Sequence, residues 1–175
     1  MANAIKKITN TNGSKAYLGD IEIAAIRGVE QGLTQLKYMD VKTQTDTAAE
    51  TLSAADAGKL IVIPDVGQDS VYSLPAPEVG LHLHVVGFGA LAADGHDVSF
   101  HTATLNTDYF HGAIVHHDTD LTGQTTAIVW GDGDSNDKIK LDVPEAFDVH
   151  FMGKSSVSWY VWGWMASATK VTIGD

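Results

Sequence analysis

The sequence predicts an all-β fold, a single sandwich or barrel-like domain with an extended N-terminal arm, and three observations predict it. Short apolar runs recur between Leu52 and about Val143, each of strand rather than helix length. Gly, Asp, Asn or Pro stands between them, residues that turn a chain or stop a strand. No long segment repeats its apolar residues at the helical period. Regular short strands with turn signals favour a sandwich or barrel, of the jelly-roll or immunoglobulin-like kind. No repeat of solenoid or propeller length stands out.

Residues 1–50 are rich in Thr, Asn, Gln and Ala and hold only short apolar clusters. Ile21 and Ile23, like Met39 and Val41, alternate with polar neighbours as short strands do. A helix through Leu18, Ile21, Ala25 and Val29 is the alternative, weakened by Gly28 and Gly32. Thr43–Thr51 suits a linker or an extended strand. This stretch is expected to be an arm that needs a partner surface to order, with the sandwich at 51–175.

In the sandwich, Leu60-Ile61-Val62-Ile63 is a buried strand stopped by Pro64 and Gly67. Val71–Leu74 follows, closed by Pro75 and Pro77. Leu81, Leu83 and Val85 then alternate with His82, His84 and Val86. Val98–Phe100, Ala113–Val115 and Ala127–Trp130 continue the series. Phe147–Phe151 and Val157–Met165 form an expected terminal hairpin around a turn at Met152–Ser156.

Composition narrows the function. The chain of 175 residues has 44% hydrophobic residues, enough for a core without staples, and no cysteine. Thiol nucleophiles, disulfides and cysteine zinc sites are thereby excluded. A formal charge of −11 repels phosphate backbones, so no nucleic-acid partner is expected. Met1–Asn10 lacks the apolar stretch of a secretory signal, and no apolar run is long enough for a membrane span. A soluble protein without a membrane partner is expected.

Motifs that could carry chemistry are weak. His82 and His84 share a strand face and so could grip a metal, as in part of the cupin motif. The glutamate that motif needs is missing; Phe88 and Gly89 stand there. With Leu81, Leu83 and Val85 facing a core, both rings are expected to point to solvent or to another subunit, without converging ligands. His116 and His117 are adjacent, hence on opposite faces and unable to cooperate; Asp118-Thr119-Asp120 leads into a loop. Asp132, Asp134 and Asn136 match the opening of an EF-hand calcium loop. Asp137 replaces its glycine and Val143 its bidentate glutamate, so a polar turn is expected, with a weak calcium site as the alternative. No nucleophile elbow and no phosphate-binding glycine loop is present. No catalytic residue, metal ligand or cofactor is therefore expected, and no enzyme.

Trp159–Met165 carries a different signal. On a strand, Trp159, Val161, Gly163 and Met165 line one face, and Tyr160, Trp162 and Trp164 the other. Both faces are apolar, whereas a sandwich buries one face of each sheet. Tyr160, Trp162 and Trp164 are therefore the candidate interface, to be covered by the arm, another subunit or a ligand.

Thr51-Leu52-Ser53-Ala54-Ala55-Asp56-Ala57-Gly58-Lys59 running into Leu60–Ile63, and Val71-Tyr72-Ser73-Leu74-Pro75-Ala76-Pro77-Glu78-Val79-Gly80-Leu81 after it, resemble a recurring opening in virion structural proteins of tailed bacteriophages. Asp148–Phe151 followed by Trp159-Tyr160-Val161-Trp162-Gly163 is similar to their ending. The resemblance covers about residues 50–165; His96–His117 and the extra Trp162 and Trp164 depart from it. It implies a head-decoration, or cement, protein on the outer capsid surface of the virion. Such a protein is commonly a homotrimer, and its partner is the major capsid protein, whose neighbouring subunits it clamps. The alternative is a carbohydrate- or host-binding β-module of a tail or fibre, with exposed Trp and Tyr as a stacking platform.

Overall fold

The computed structural model describes residues 40–87, 95–120 and 125–175. The chain divides into two units, Met1–Asp40 and Val41–Asp175. The second is a β-sandwich, the fold class that the sequence predicts. The expected strand around Ile21 and Ile23, and its helical alternative, lie outside the described residues. The last part of the expected arm contributes strands β1 (Val41–Thr43) and β2 (Ala49–Thr51) to the two sheets.

The first six strands alternate between the sheets. After β1 and β2 come β3 (Leu60–Val62), β4 (Ser70–Ser73), β5 (His82–Gly87) and β6 (Val98–His101). β1, β3 and β5 lie parallel side by side in one sheet, and β2, β4 and β6 in the other. The chain therefore winds as a short two-sided solenoid. Val41 pairs with Leu60 and Leu60 with His84, while Ala49 pairs with Val71 and Ser70 with Val98. Each circuit consumes a different number of residues, so no fixed period marks the sequence.

Longer strands complete the sandwich: β7 (Tyr109–Asp118), β8 (Thr126–Asp132), β9 (Lys138–Leu141), β10 (Ala146–Ser155), β11 (Ser158–Ser167) and β12 (Thr172–Gly174). The larger sheet has the order β1-β3-β5-β10-β11-β7-β8, and the smaller β12-β9-β6-β4-β2. The wiring is mixed, unlike the antiparallel wiring of jelly rolls and immunoglobulin-like sandwiches. β10 and β11 form the terminal hairpin, but its turn is Ser156–Val157, not Met152–Ser156. Gly153, Lys154 and Ser155 stay in the strand, with a register shift between Gly153 and Ser155. A glycine in a strand marks such irregularities as readily as a turn.

Period-two alternation fills the interior. Leu83, Val85, Phe110, Phe147, Val149, Phe151, Trp159, Val161 and Met165 face inward from the larger sheet. Tyr72, Val98, Phe100, Ile139 and Leu141 answer from the smaller. Phe100 joins the layers, its ring 5.1 Å from that of Phe151 and 6.1 Å, edge-on, from that of Phe147.

The segment that carries the resemblance has a physical role. Ser53 Oγ accepts from the Ala55 amide, and the Asp56 carboxylate accepts from the Ser53 amide, a reciprocal cap on a single helical turn. Asp56, almost fully buried, also binds Lys42 at 2.8 Å and Lys59 at 3.1 Å. One carboxylate thus ties β1 to the approach of β3. Gly58 follows at φ +77°, a turn conformation that suits glycine.

Candidate functional site

Because Leu83 and Val85 are fully buried, their alternating partners on β5 are sent to the outer face of the larger sheet. His82 and His84 emerge there half-buried. On β10 the buried Phe147, Val149 and Phe151 likewise send Asp148, His150 and Met152 outward. Antiparallel register sets His150 opposite His84 and Met152 opposite His82. On the other flank of β10, His150 faces Trp162 of β11, and Asp148 faces Trp164.

These residues converge. His84 Nε2 donates to Asp148 Oδ1 at 2.9 Å, and His150 Nε2 lies 3.2 Å from the same oxygen. His82 Nε2 and His150 Nδ1 share a hydrogen bond at 3.1 Å. The rings stack as well: His84 on His150 at 4.0 Å, and His150 on Trp162 at 5.0 Å, parallel to within 1°. His82 lies parallel to Trp162 at 5.7 Å. Both rings point to the outer face, as the alternation predicts, but Asp148 and His150 converge there on His84, which was not expected. Asp148 and His150 come from a strand far away in sequence, and the register of β5 with β10 brings them in.

Burial lowers the pKa of His150, with His84 adding to the effect and Asp148 opposing it. Burial and His84 lower that of His82 too. Both changes favour neutral imidazoles, the form that accepts a proton or binds a metal. Among the described residues, His84, Asp148 and His150 are the one group of three whose ligand atoms lie within 4.8 Å of one another.

Aromatic residues dominate the rest of this face. Tyr160, Trp162 and Trp164 all lie on it, as expected from the alternation of β11, with Tyr160 37% and Trp162 41% exposed and Trp164 half-buried. The His111 ring meets Tyr160 edge-on at 5.4 Å, the His117 ring meets Trp164 at 6.3 Å, and Lys154 Nζ lies 5.2 Å from the Tyr160 ring centre. Beyond β7, Trp130 and Ile128 of β8 extend the patch, Trp130 being 67% exposed. Ala113 of β7 stands between Trp162 and Trp130 in the register. Neither Trp130 nor Ile128 was expected on this face. The signal for them was the alternation of β8, where the even-numbered residues Ile128 and Trp130 point out.

The other motifs separate as their spacing requires. His116 is buried and its Nε2 donates to the Ser167 carbonyl at 3.0 Å, whereas the adjacent His117 is exposed. Both lie within β7, and the segment after Asp120 leaves the described residues. In the acidic turn, Asp132 Oδ1 accepts from the Asp134 and Ser135 amides and Oδ2 from the Ser135 hydroxyl. Those bonds depress the Asp132 carboxyl to about 2. The side chain that would begin a calcium loop is thus occupied in holding the turn.

Neither a scan against protein-family models nor a search of curated proteins finds a match to this chain.

Proposed function

We propose that this chain is a non-catalytic structural protein of a tailed-bacteriophage virion, a decoration protein that clips onto the outer surface of the head. The observation that carries the reading is the outer face of the larger sheet. Trp130, Ile128, Trp162 and Tyr160 are between about a third and two-thirds exposed on one rigid surface. A contiguous aromatic patch left wet marks a place where another protein docks. Aromatic anchors on a stiff sheet are suited to this, because little side-chain entropy is lost when a partner covers them. The resemblance over residues 50–165 names the partner as the major capsid protein, with further copies of the chain as neighbours in a homotrimer.

The mechanism is mechanical. Many copies bridge adjacent capsid subunits, and apolar burial at each contact opposes the outward pressure of packaged DNA. The carbohydrate-binding alternative uses the same face, and Trp130 is its best residue. Trp162 suits it less, because its ring is stacked on His150 and turns a face to that neighbour rather than outward.

The test is co-sedimentation with heads assembled from the capsid protein of the encoding genome. The parent chain is expected to pellet with heads, and Trp162→Ala and Trp130→Ala to do so weakly. Absence of head binding, together with glycan binding that depends on Trp130, would replace the proposal with the alternative.

A further inference from the structure

We infer that His84, Asp148 and His150 form a binding site for one divalent first-row transition-metal ion of the zinc type, with His82 as the residue that orients His150. The inference stands apart from the capsid reading, since it concerns the isolated chain.

Two imidazoles and one carboxylate are a donor set that zinc and its neighbours accept. The fold supplies them from rigid backbone: His84 from β5, and Asp148 with His150, two residues apart, from β10. Buried core residues on both sides of each ligand fix the outward direction of all three side chains. Their donor atoms already lie within 4.8 Å of one another, with both Nε2 atoms near one carboxylate oxygen. The His84 and His150 rings are parallel to within 16°, and both direct Nε2 at the same Asp148 oxygen. Gathering both nitrogens on an ion turns each ring about its Cβ–Cγ bond and leaves the strand register intact.

His82 completes the arrangement. Ligation through Nε2 of His150 leaves Nδ1–H to donate to His82 Nε2, 3.1 Å away. A metal-bound histidine characteristically hands its second N–H to such a partner, which fixes tautomer and ring angle. Trp162 closes one side by stacking on His150, and Leu60 stands beside His84 in the register on the other. The outward side is open, since the three ligand side chains keep 21%, 30% and 23% of their surface exposed. Three protein ligands with an open side leave at least one coordination position for water or for an atom from another chain.

The experiment uses the full chain, treated with chelator and then titrated with zinc by calorimetry and with cobalt by visible absorption. One ion per chain is expected, with a cobalt d–d band and a zinc-dependent rise in melting temperature. His84→Gln and Asp148→Asn should abolish the band, with circular dichroism showing the fold intact. His82→Ala should keep the band but weaken affinity by about 10–100-fold. Absence of stoichiometric binding would overturn the inference, as would binding that His84→Gln and Asp148→Asn leave unchanged. In either case the four residues are a stacked ladder that only stiffens the sheet.

Discussion

Replacing Trp162 by alanine separates what the outer face contributes to folding from what it offers a partner. Trp162 is 41% exposed, with more than half of its surface covered by neighbours that include the His150 and His82 rings. A fully buried tryptophan removes about 250 Å2 from water, so truncation at this site re-exposes about 150 Å2, or about 3–4 kcal/mol at ~25 cal/mol per Å2. That is an upper limit, because the denatured chain is itself partly collapsed and a site open to water leaves no closed cavity. A loss of about 2 kcal/mol is expected in urea denaturation of the isolated chain. Trp159, inward on the same strand, has no exposed surface. Trp159→Ala leaves a cavity and should cost about 4 kcal/mol. The remaining ~100 Å2 of Trp162 is what a partner can cover, so Trp162→Ala should also weaken head binding by about 2 kcal/mol, or ~30-fold. Equal destabilisation by the two variants, with head binding unchanged, would show that the Trp162 face is buried within the chain and offers nothing to a partner.

Three other perturbations test the framework. Asp56→Asn should cost about 1–3 kcal/mol at neutral pH, since it weakens two lysine contacts at a buried acceptor. Burial raises the Asp56 pKa, but the Lys42, Lys59 and Ser53 bonds outweigh it and hold the carboxyl below its ordinary value. Its stabilising effect is therefore complete above the unfolded value of about 3.9 and is lost as pH falls through the lower folded value. Denaturation of parent and variant across pH should show the gap closing in acid; a constant gap would contradict the assignment. Gly163→Ala should lower the melting temperature by about 5–10 °C, because residue 163 sits at φ +149° and an added Cβ would run into the Asp148 carbonyl. Calcium should leave the melting temperature unchanged, since Asp132 is engaged by its own turn; a rise that Asp132→Ala abolishes would restore the calcium site.

Much of the fold was legible because it depends on alternation. Leu83 and Val85, or Phe147, Val149 and Phe151, state which side of each strand is buried, and the faces of Trp159–Met165 follow from the same rule. Pairing between distant strands was not legible. Nothing local says that β5 lies beside β10, or that β7 runs parallel to β11. The unequal circuits of β1 to β6 hid the solenoid winding for the same reason. The candidate metal group shows the consequence: His82 and His84 were visible as a pair, but Asp148 and His150 become ligands only through the register. Ser156–Val157 was missed as the hairpin turn because Gly153 drew the break toward itself, whereas the strand absorbs that glycine as an irregularity.

Electron microscopy of heads assembled with this chain decides whether the aromatic face of the larger sheet docks on the head. Ordered copies are expected on the outer surface, with Trp130, Tyr160 and Trp162 pressed against capsid protein or a neighbouring copy. Heads that stay bare, or bound copies with those three side chains facing solvent, would contradict that docking.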